Sequence, residues 1–345
     1  MRHGFCSLLF LCLIASAVYA QIDSESLIST ISKAERGDPG AQTQLGLIYY
    51  NGRGVNPDRL AAMKWWRKAA DQFDPNAQLY VGMMYFEGFG VTKDYDEAVH
   101  WWRRAAGNGQ TSAQYNLGIM YFEGWGIPKD YSEAFRWLRK ASESGDAQAQ
   151  CKLGTMYANG QGVAKDVKQG LIWHRKAADQ GHAEAQYKLG ENYSYGSGMS
   201  LDRADAEAAR WYRRAADQGH VDAQYKLGEI HVYGHGVPRD HAEAASWYHK
   251  AADHGHGGAQ SRLGFMYAIG RGVPKDEILG YAWASLSGTD EGRRTCSFLE
   301  QSLSDQALLL ARQRTKEIED EIKKRRKDLL MKRSAQRVAQ MPDLI

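Results

Sequence analysis

The chain has 345 residues, 43% of them hydrophobic and 25% charged, with a formal net charge of +3. Its four cysteines are too few and too scattered for a disulfide framework, and past Val18 nothing approaches the roughly 18 consecutive apolar residues of a membrane span, so both of those classes are excluded. The charge is uneven: Arg312 to Ile345 carries eleven Lys and Arg against six Asp and Glu, or +5, which leaves −2 for residues 1–311.

Arg2, an apolar run from Phe5 to Val18 and then Val18-Tyr19-Ala20 before Gln21 follow the order of a secretory signal peptide over residues 1–20. The remainder is therefore expected to be soluble and exported, either periplasmic or secreted. Cys12 follows Phe10-Leu11, where a lipid-anchor site would have small residues, so no anchor is expected. Cys6 and Cys12 leave with the leader. Cys151 and Cys296 lie about four copies of a repeat apart, and are expected as separate buried thiols. Residues 21–36, polar with a short Leu27, Ile28, Ile31 stripe, predict a helix that caps the first repeat.

From residue 37 to residue 288 the chain rewrites one stretch seven times. An Ala-Gln pair recurs at Ala41, Ala77, Ala113, Ala149, Ala185, Ala223 and Ala259, in steps of 36 residues with one step of 38. A fixed period in this range marks stacked structural repeats. Each copy reads as two helices. In the first, Ala113, Leu117, Met120 and Tyr121 share a face at helical spacing. Its central glycine, from Gly46 to Gly264, costs a helix about 1 kcal/mol, so its return in every copy requires a compensation, and close approach of the paired helix supplies one.

A Gly-x-Gly follows the tyrosine and permits the left-handed turn that ends the helix; with no strand before it, it is not a dinucleotide loop. Asp94, Asp130, Asp166 and Asp240, each followed three residues later by Glu97, Glu133, Gln169 or Glu243, predict capping boxes for the second helices. Trp101, Trp137, Trp173 and Trp247 stand seven residues past those aspartates, each with an alanine four residues on. The first helices are capped by Asp38, Asp74, Gln110, Asp146, His182, His220 and His256. Copy five carries a two-residue insertion between Gly198 and Trp211; its cap position falls on Ala204, with Asp202 and Asp205 as substitutes.

The order Ala-Gln, Leu-Gly, Tyr, Gly-x-Gly-Val, Asp, Ala, Trp, Ala-Ala resembles the Sel-one-like repeats, short relatives of the tetratricopeptide repeat, over Ile28 to Leu286. The resemblance implies an all-α fold, a right-handed α/α superhelical solenoid of antiparallel helix pairs, and a role in scaffolding protein complexes. Beyond the repeats, Asp290 to Arg294 reads as a loop and Cys296 to Arg314 as a last amphipathic helix, so that residues 289–314 cap the far end. Residues 315–345 read as a basic, charged helical tail, supported by pairs such as Glu319 and Lys323 at i, i+4.

No Ser-x-x-Lys, Gly-x-Ser-x-Gly or His-Glu-x-x-His occurs, and no catalytic residue and no cofactor are expected. Of the eleven histidines, His231 and His235 are four apart, but Gly234 interrupts that turn, and His182, His220 and His256 are copies of one position, so no metal is expected. The run Lys323, Lys324, Arg325, Arg326, Lys327 would attract an anionic surface rather than nucleic acid in an exported chain.

Comparison among the copies separates shared, structural positions from variable ones, which lie three, six and ten residues after the alanine on one face of the first helix. That face is expected to be exposed on the concave side. It carries Leu47, Tyr80, Met83 and Ile119 as apolar candidates, Lys152, Lys188, Lys226 and Arg262 as a basic ladder, and Tyr195 and Tyr233 as aromatic ones. Anchors beside fixed charges suit a protein or peptide partner. The bland reading is that Leu47, Met83 and Ile119 pack against the adjacent helix. The functional expectation is an exported, non-catalytic scaffold; the alternatives are a cell-envelope factor binding peptidoglycan or another surface polymer, and a hydrolase.

Overall fold

The computed structural model describes residues 24–194 and 201–339; the leader 1–20 and Tyr195 lie outside the described residues. Among the described residues there are seventeen helices and no strand. Helix α1 (Ser24–Glu35) precedes the repeats, which supply α2 (Pro39–Asn51) with α3 (Arg59–Asp71), α4 (Pro75–Glu87) with α5 (Tyr95–Gly107), α6 (Thr111–Glu123) with α7 (Tyr131–Glu143) and α8 (Ala147–Asn159) with α9 (Val167–Asp179). The last three copies supply α10 (Ala183–Ser194) with α11 (Leu201–Asp217), α12 (Val221–Tyr233) with α13 (His241–Asp253) and α14 (Gly257–Ile269) with α15 (Glu277–Leu286). Helices α16 (Asp290–Glu300) and α17 (Asp305–Ala339) follow. The chain is an all-α solenoid of helix pairs and divides into two compact units, one up to Asp146 and the other from Ala147 to Arg337 apart from the loop Gln161–Val163.

Local chemistry sets the helix limits. Asp38, Asp74 and Gln110 accept a hydrogen bond from the backbone N–H three residues on, and His182, His220 and His256 do the same through Nδ1. The second helices are capped by Asp94, Asp130, Asp166 and Asp240, each accepting from the N–H three residues on. The reciprocal half of the expected capping box does not form, because the N–H of each aspartate donates to a first-helix carbonyl instead. Glu97 and Glu243 accept from Trp101 and Trp247, while Glu133 pairs with Arg136. Copy five differs: α11 begins at Leu201, so Ala204 and Asp205 lie inside the helix and neither is at its start.

The recurring glycine is explained by the partner helix. A Cβ on Gly46 would lie 2.3 Å from the Trp66 indole, and one on Gly228 would lie 2.3 Å from the Tyr248 ring. The residue twenty positions after each glycine, or twenty-two in copy five where Tyr212 answers Gly190, therefore lies directly on the first helix's backbone. Trp66 also donates its indole N–H to the Thr43 carbonyl at 3.1 Å, and Trp102 repeats this with Leu79.

The glutamine of each Ala-Gln pair ties copies together. Gln78 is buried and donates to the Ala70 carbonyl at 3.2 Å, at the end of the preceding second helix; Gln42, Gln114, Gln186, Gln224 and Gln260 repeat the bond. An unpaired carbonyl there would carry a desolvation cost of about 1–3 kcal/mol, which accounts for a buried amide in place of a hydrocarbon. At the N-terminal end, Leu27 and Ile31 of α1 pack on Ala41, Leu45 and Ile48, covering the first copy.

The C-terminal region departs from expectation. Asp290 to Arg294 are helical, because Thr289 caps α16 by accepting from the Gly292 N–H at 3.0 Å and Asp290 and Glu291 occupy the first turn. The break falls at residues 301–304 instead, and α17 then runs through residue 315, so no boundary separates a capping helix from a tail.

Candidate partner-binding face

In the second unit the variable face is carried by α8, α10, α12 and α14. Lys188 lies 2.9 Å from Glu191 and 3.8 Å from Glu184; Lys226 lies 2.9 Å from Glu229, and Arg262 lies 2.7 Å from Glu291. Tyr187 and Tyr225 donate to the same glutamates, Glu191 at 3.1 Å and Glu229 at 3.0 Å. The expected basic ladder is thus a set of neutralised, hydrogen-bonded pairs, because copies five and six place a glutamate three residues after the lysine, where helical geometry brings the two together. Lys152 in copy four is not free either.

The capping histidines brace this arrangement. His220 stacks on Tyr187 with ring centroids 4.6 Å apart and reaches Glu184 at 2.9 Å; His256 stacks on Tyr225 at 4.5 Å and faces Asp222 at 3.5 Å. With Nδ1 accepting from the backbone, the neutral ring carries its proton on Nε2, facing the carboxylate. These three copied histidines have structural duties. Among the described residues, no group of three or more His, Cys, Asp and Glu is placed to hold a metal ion.

Apolar side chains stand beside the ion pairs. Tyr233 is 50% exposed, Phe265 41% and Ile269 38%. A cleft of about 400 Å³ opens beside Tyr233, lined by Tyr212, Lys226, Glu229, Ile230 and His235 among others. Phe265 and Ile269 are at variable positions but were not singled out as candidates from the sequence; their signal was an apolar residue at two variable positions of one copy.

In the first unit the candidates fare differently. Tyr80 is only 2% exposed, packed 4.9 Å from the Trp66 ring, and burial pushes its hydroxyl up to about 12; it is a core residue, not a surface anchor. Leu47 and Met83 are half-buried and pack against the core, as the bland reading had it, and Ile119 is half-buried.

The basic run near the C-terminus is also partly used. Arg325 pairs with Asp253 at 2.5 Å and Arg326 donates to the His254 carbonyl at 3.1 Å, while Ile318 and Ile322 are buried in the core with Tyr248 and Trp283. Arg325 and Arg326 therefore dock α17 on the last copies. Lys323 pairs with Glu319 at 2.7 Å, and Lys324 and Lys327 are exposed. The two thiols are both free; burial pushes Cys151 up to about 12 and Cys296 up to about 11, so neither supplies a thiolate near neutral pH.

The Sel1 repeat pattern matches residues 39–72, 75–110, 111–146, 147–182, 183–220, 221–256 and 258–288. This chain belongs to the Sel1 repeat family. A Sel1 repeat protein from Oxalobacter formigenes, known from its crystal structure, is 36% identical over 81% of each chain with a TM-score of 0.66. A second crystal structure, of c5321, a protective antigen present in uropathogenic Escherichia coli strains that displays an SLR fold, is 29% identical over 91% of this chain and 83% of the other, with a TM-score of 0.45. No curated protein matches. Sel1 repeat proteins are in general non-catalytic scaffolds for protein interaction, and the seven Sel1 copies here place no helix among the described residues that is long and apolar enough to cross a membrane.

Proposed function

We propose that this Sel1 repeat protein is an exported, non-catalytic scaffold that holds a protein or peptide partner on the first-helix face of copies five to seven. The observation that carries the reading is the exposure of Tyr233, Phe265 and Ile269 on α12 and α14, next to ion pairs that are already formed. Exposed aromatic and apolar side chains supply the burial that drives association, and charges fixed in advance lose little further freedom when a partner arrives. The partner this favours is an amphipathic segment with an apolar stripe and polar flanks.

A photo-crosslinking residue at Phe265, with a second at the exposed Lys168 on α9 as control, tests the reading in native extracts. A discrete protein adduct formed from the Phe265 position alone is the expected result; equal labelling from both positions would remove it. Export is tested separately by the mass of the chain recovered from its native source: a mature N-terminus at Gln21 supports it, and retention of Met1 sinks it.

A further inference from the structure

Among the described residues, one backbone feature is confined to a single turn. Phe73, between α3 and α4, has φ +66°, the left-handed region that a bulky side chain rarely adopts, and is 68% exposed. The equivalent turns carry Gly37, Gly109, Gly145, Gly181, Gly219 and Gly255, all with positive φ. A strained aromatic held in water, where the rest of the molecule uses glycine, contributes nothing to the core and is a signal of function.

Its surroundings indicate the chemistry. The Arg104 guanidinium lies over the Phe73 ring at 5.4 Å and over the Trp101 ring at 4.6 Å. Lys68 lies over Trp65 at 4.3 Å and Lys140 over Trp137 at 4.5 Å. Each cation is thus backed by a tryptophan three residues earlier on α3, α5 or α7, and none of the three makes an ion pair among the described residues. Cations near helix C-termini are ordinary, and the second unit repeats the tryptophan-backed ones at Lys176, Arg214 and Lys250. Only in the first unit does an exposed aromatic stand at the turn beside them.

We infer that Lys68, Arg104 and Lys140, with Phe73 inserted, form a contact for an anionic phospholipid surface. The cations meet headgroup phosphates, and the ring enters the interfacial layer. Three cations without carboxylate partners among the described residues complement a surface of headgroup phosphates, and a ring that stands 68% exposed suits a fluid interface, which accepts it without a shaped complement. The contact is independent of the partner-binding face.

The test is co-flotation of the chain from Gln21 with vesicles of phosphatidylglycerol and phosphatidylcholine in equal parts, against vesicles of phosphatidylcholine alone. Binding to the anionic vesicles only is the expected result. Replacing Lys68, Arg104 and Lys140 together by glutamine should weaken it at least about tenfold, and Phe73→Gly about threefold or more without lowering the melting temperature, since glycine suits this backbone. Phe73→Leu should keep binding. A Lys324→Gln, Lys327→Gln variant should bind as the parent does, since those residues lie outside the contact. Equal binding to neutral vesicles, undiminished binding by the triple variant, loss caused by the Lys324 and Lys327 changes alone, or loss in Phe73→Leu would each overturn the inference. Loss in the triple variant with full binding by Phe73→Gly would mean that the cations alone hold the headgroups, and the assignment of Phe73 as an inserted residue falls.

Discussion

In the first unit the groove over the mid-helix glycine is filled by Trp66, Trp102 and Leu138; in the second it is filled by His174, Tyr212, Tyr248 and Ala284. The first helices of the first unit are capped by Asp38, Asp74 and Gln110, and those of copies five to seven by histidines. One architecture is therefore built twice with different titration behaviour. The first unit relies on indoles and on carboxylate or amide acceptors, while the second uses imidazoles, of which burial holds His174 and His256 below their ordinary values. The comparison shows that a repeat position fixes a geometric duty, an acceptor here and a filler there, and leaves the side chain free to bring a pH dependence with it.

The largest expected effect removes a groove filler. Trp102→Ala should cost about 3–5 kcal/mol, whereas Ala284 is already small and its copy packs backbone against backbone. Chemical denaturation with hydrogen exchange resolved by helix would show the loss concentrated in α4 and α5; a uniform loss through both units would break the distinction between them.

The next effect is acid lability. Burial pushes His174 down to about 4, with the Lys188 charge adding to it, so the folded state holds the ring neutral. A histidine depressed below its unfolded value contributes stability above pH 6.5, and that contribution is lost as the pH falls from 6.5 through 4. The loss amounts to about 3 kcal/mol at 1.36 kcal/mol per unit. Exchange in α8 and α9 should rise over this window before that in α2 to α5, and His174→Leu, the residue type copy three uses, should abolish the difference. Exchange that rises in α2 to α5 first would contradict the comparison.

The opposite sign is found where α17 docks. A hydrogen bond to Asp253 raises His249, so that pair contributes most below pH 6.5 and loses its contribution as the pH climbs through the folded value. Mild acid should loosen copy four while holding α17 in place, readable by exchange at Ile318 and Ile322.

A smaller effect concerns the caps. His256→Ala and Asp74→Ala should each cost about 1 kcal/mol at neutral pH. Burial holds His256 below its ordinary value, so its cap is present above pH 6.5 and fades as the pH falls. By pH 5 the His256→Ala penalty should have shrunk while that of Asp74→Ala persists; parallel melting curves for the two variants at both pH values would decide it.

The seven copies, most of their cap residues, their turns and the reason for the mid-helix glycine were legible in the sequence because each is a local or periodic constraint written many times; the start of α11 was not, since the two-residue insertion displaced the cap position there. The burial of Tyr80 was not, since it depends on Trp66, a side chain of the preceding copy that reaches it only after stacking. The pairing of Lys188 and Lys226 could have been read from Glu191 and Glu229 at helical spacing, but that of Arg262 with Glu291 spans 29 residues. At the C-terminal end, Thr289 with Asp290 and Glu291 was a start signal obscured by Gly288 and Gly292. The tryptophan-backed cations were also there to be seen, as Trp and Lys or Arg three apart in six copies.

The letters shared among copies build the stack, and those that vary on α12 and α14 are the ones proposed to bind. Crosslinking from Phe265, repeated in a Tyr233→Glu, Ile269→Glu background whose melting temperature is measured alongside, tests this most directly. The expected result is a single protein adduct that disappears in that background while the melting temperature moves by no more than a few degrees; an adduct that survives both substitutions, or one lost only because the repeats unfold, would contradict this division of roles.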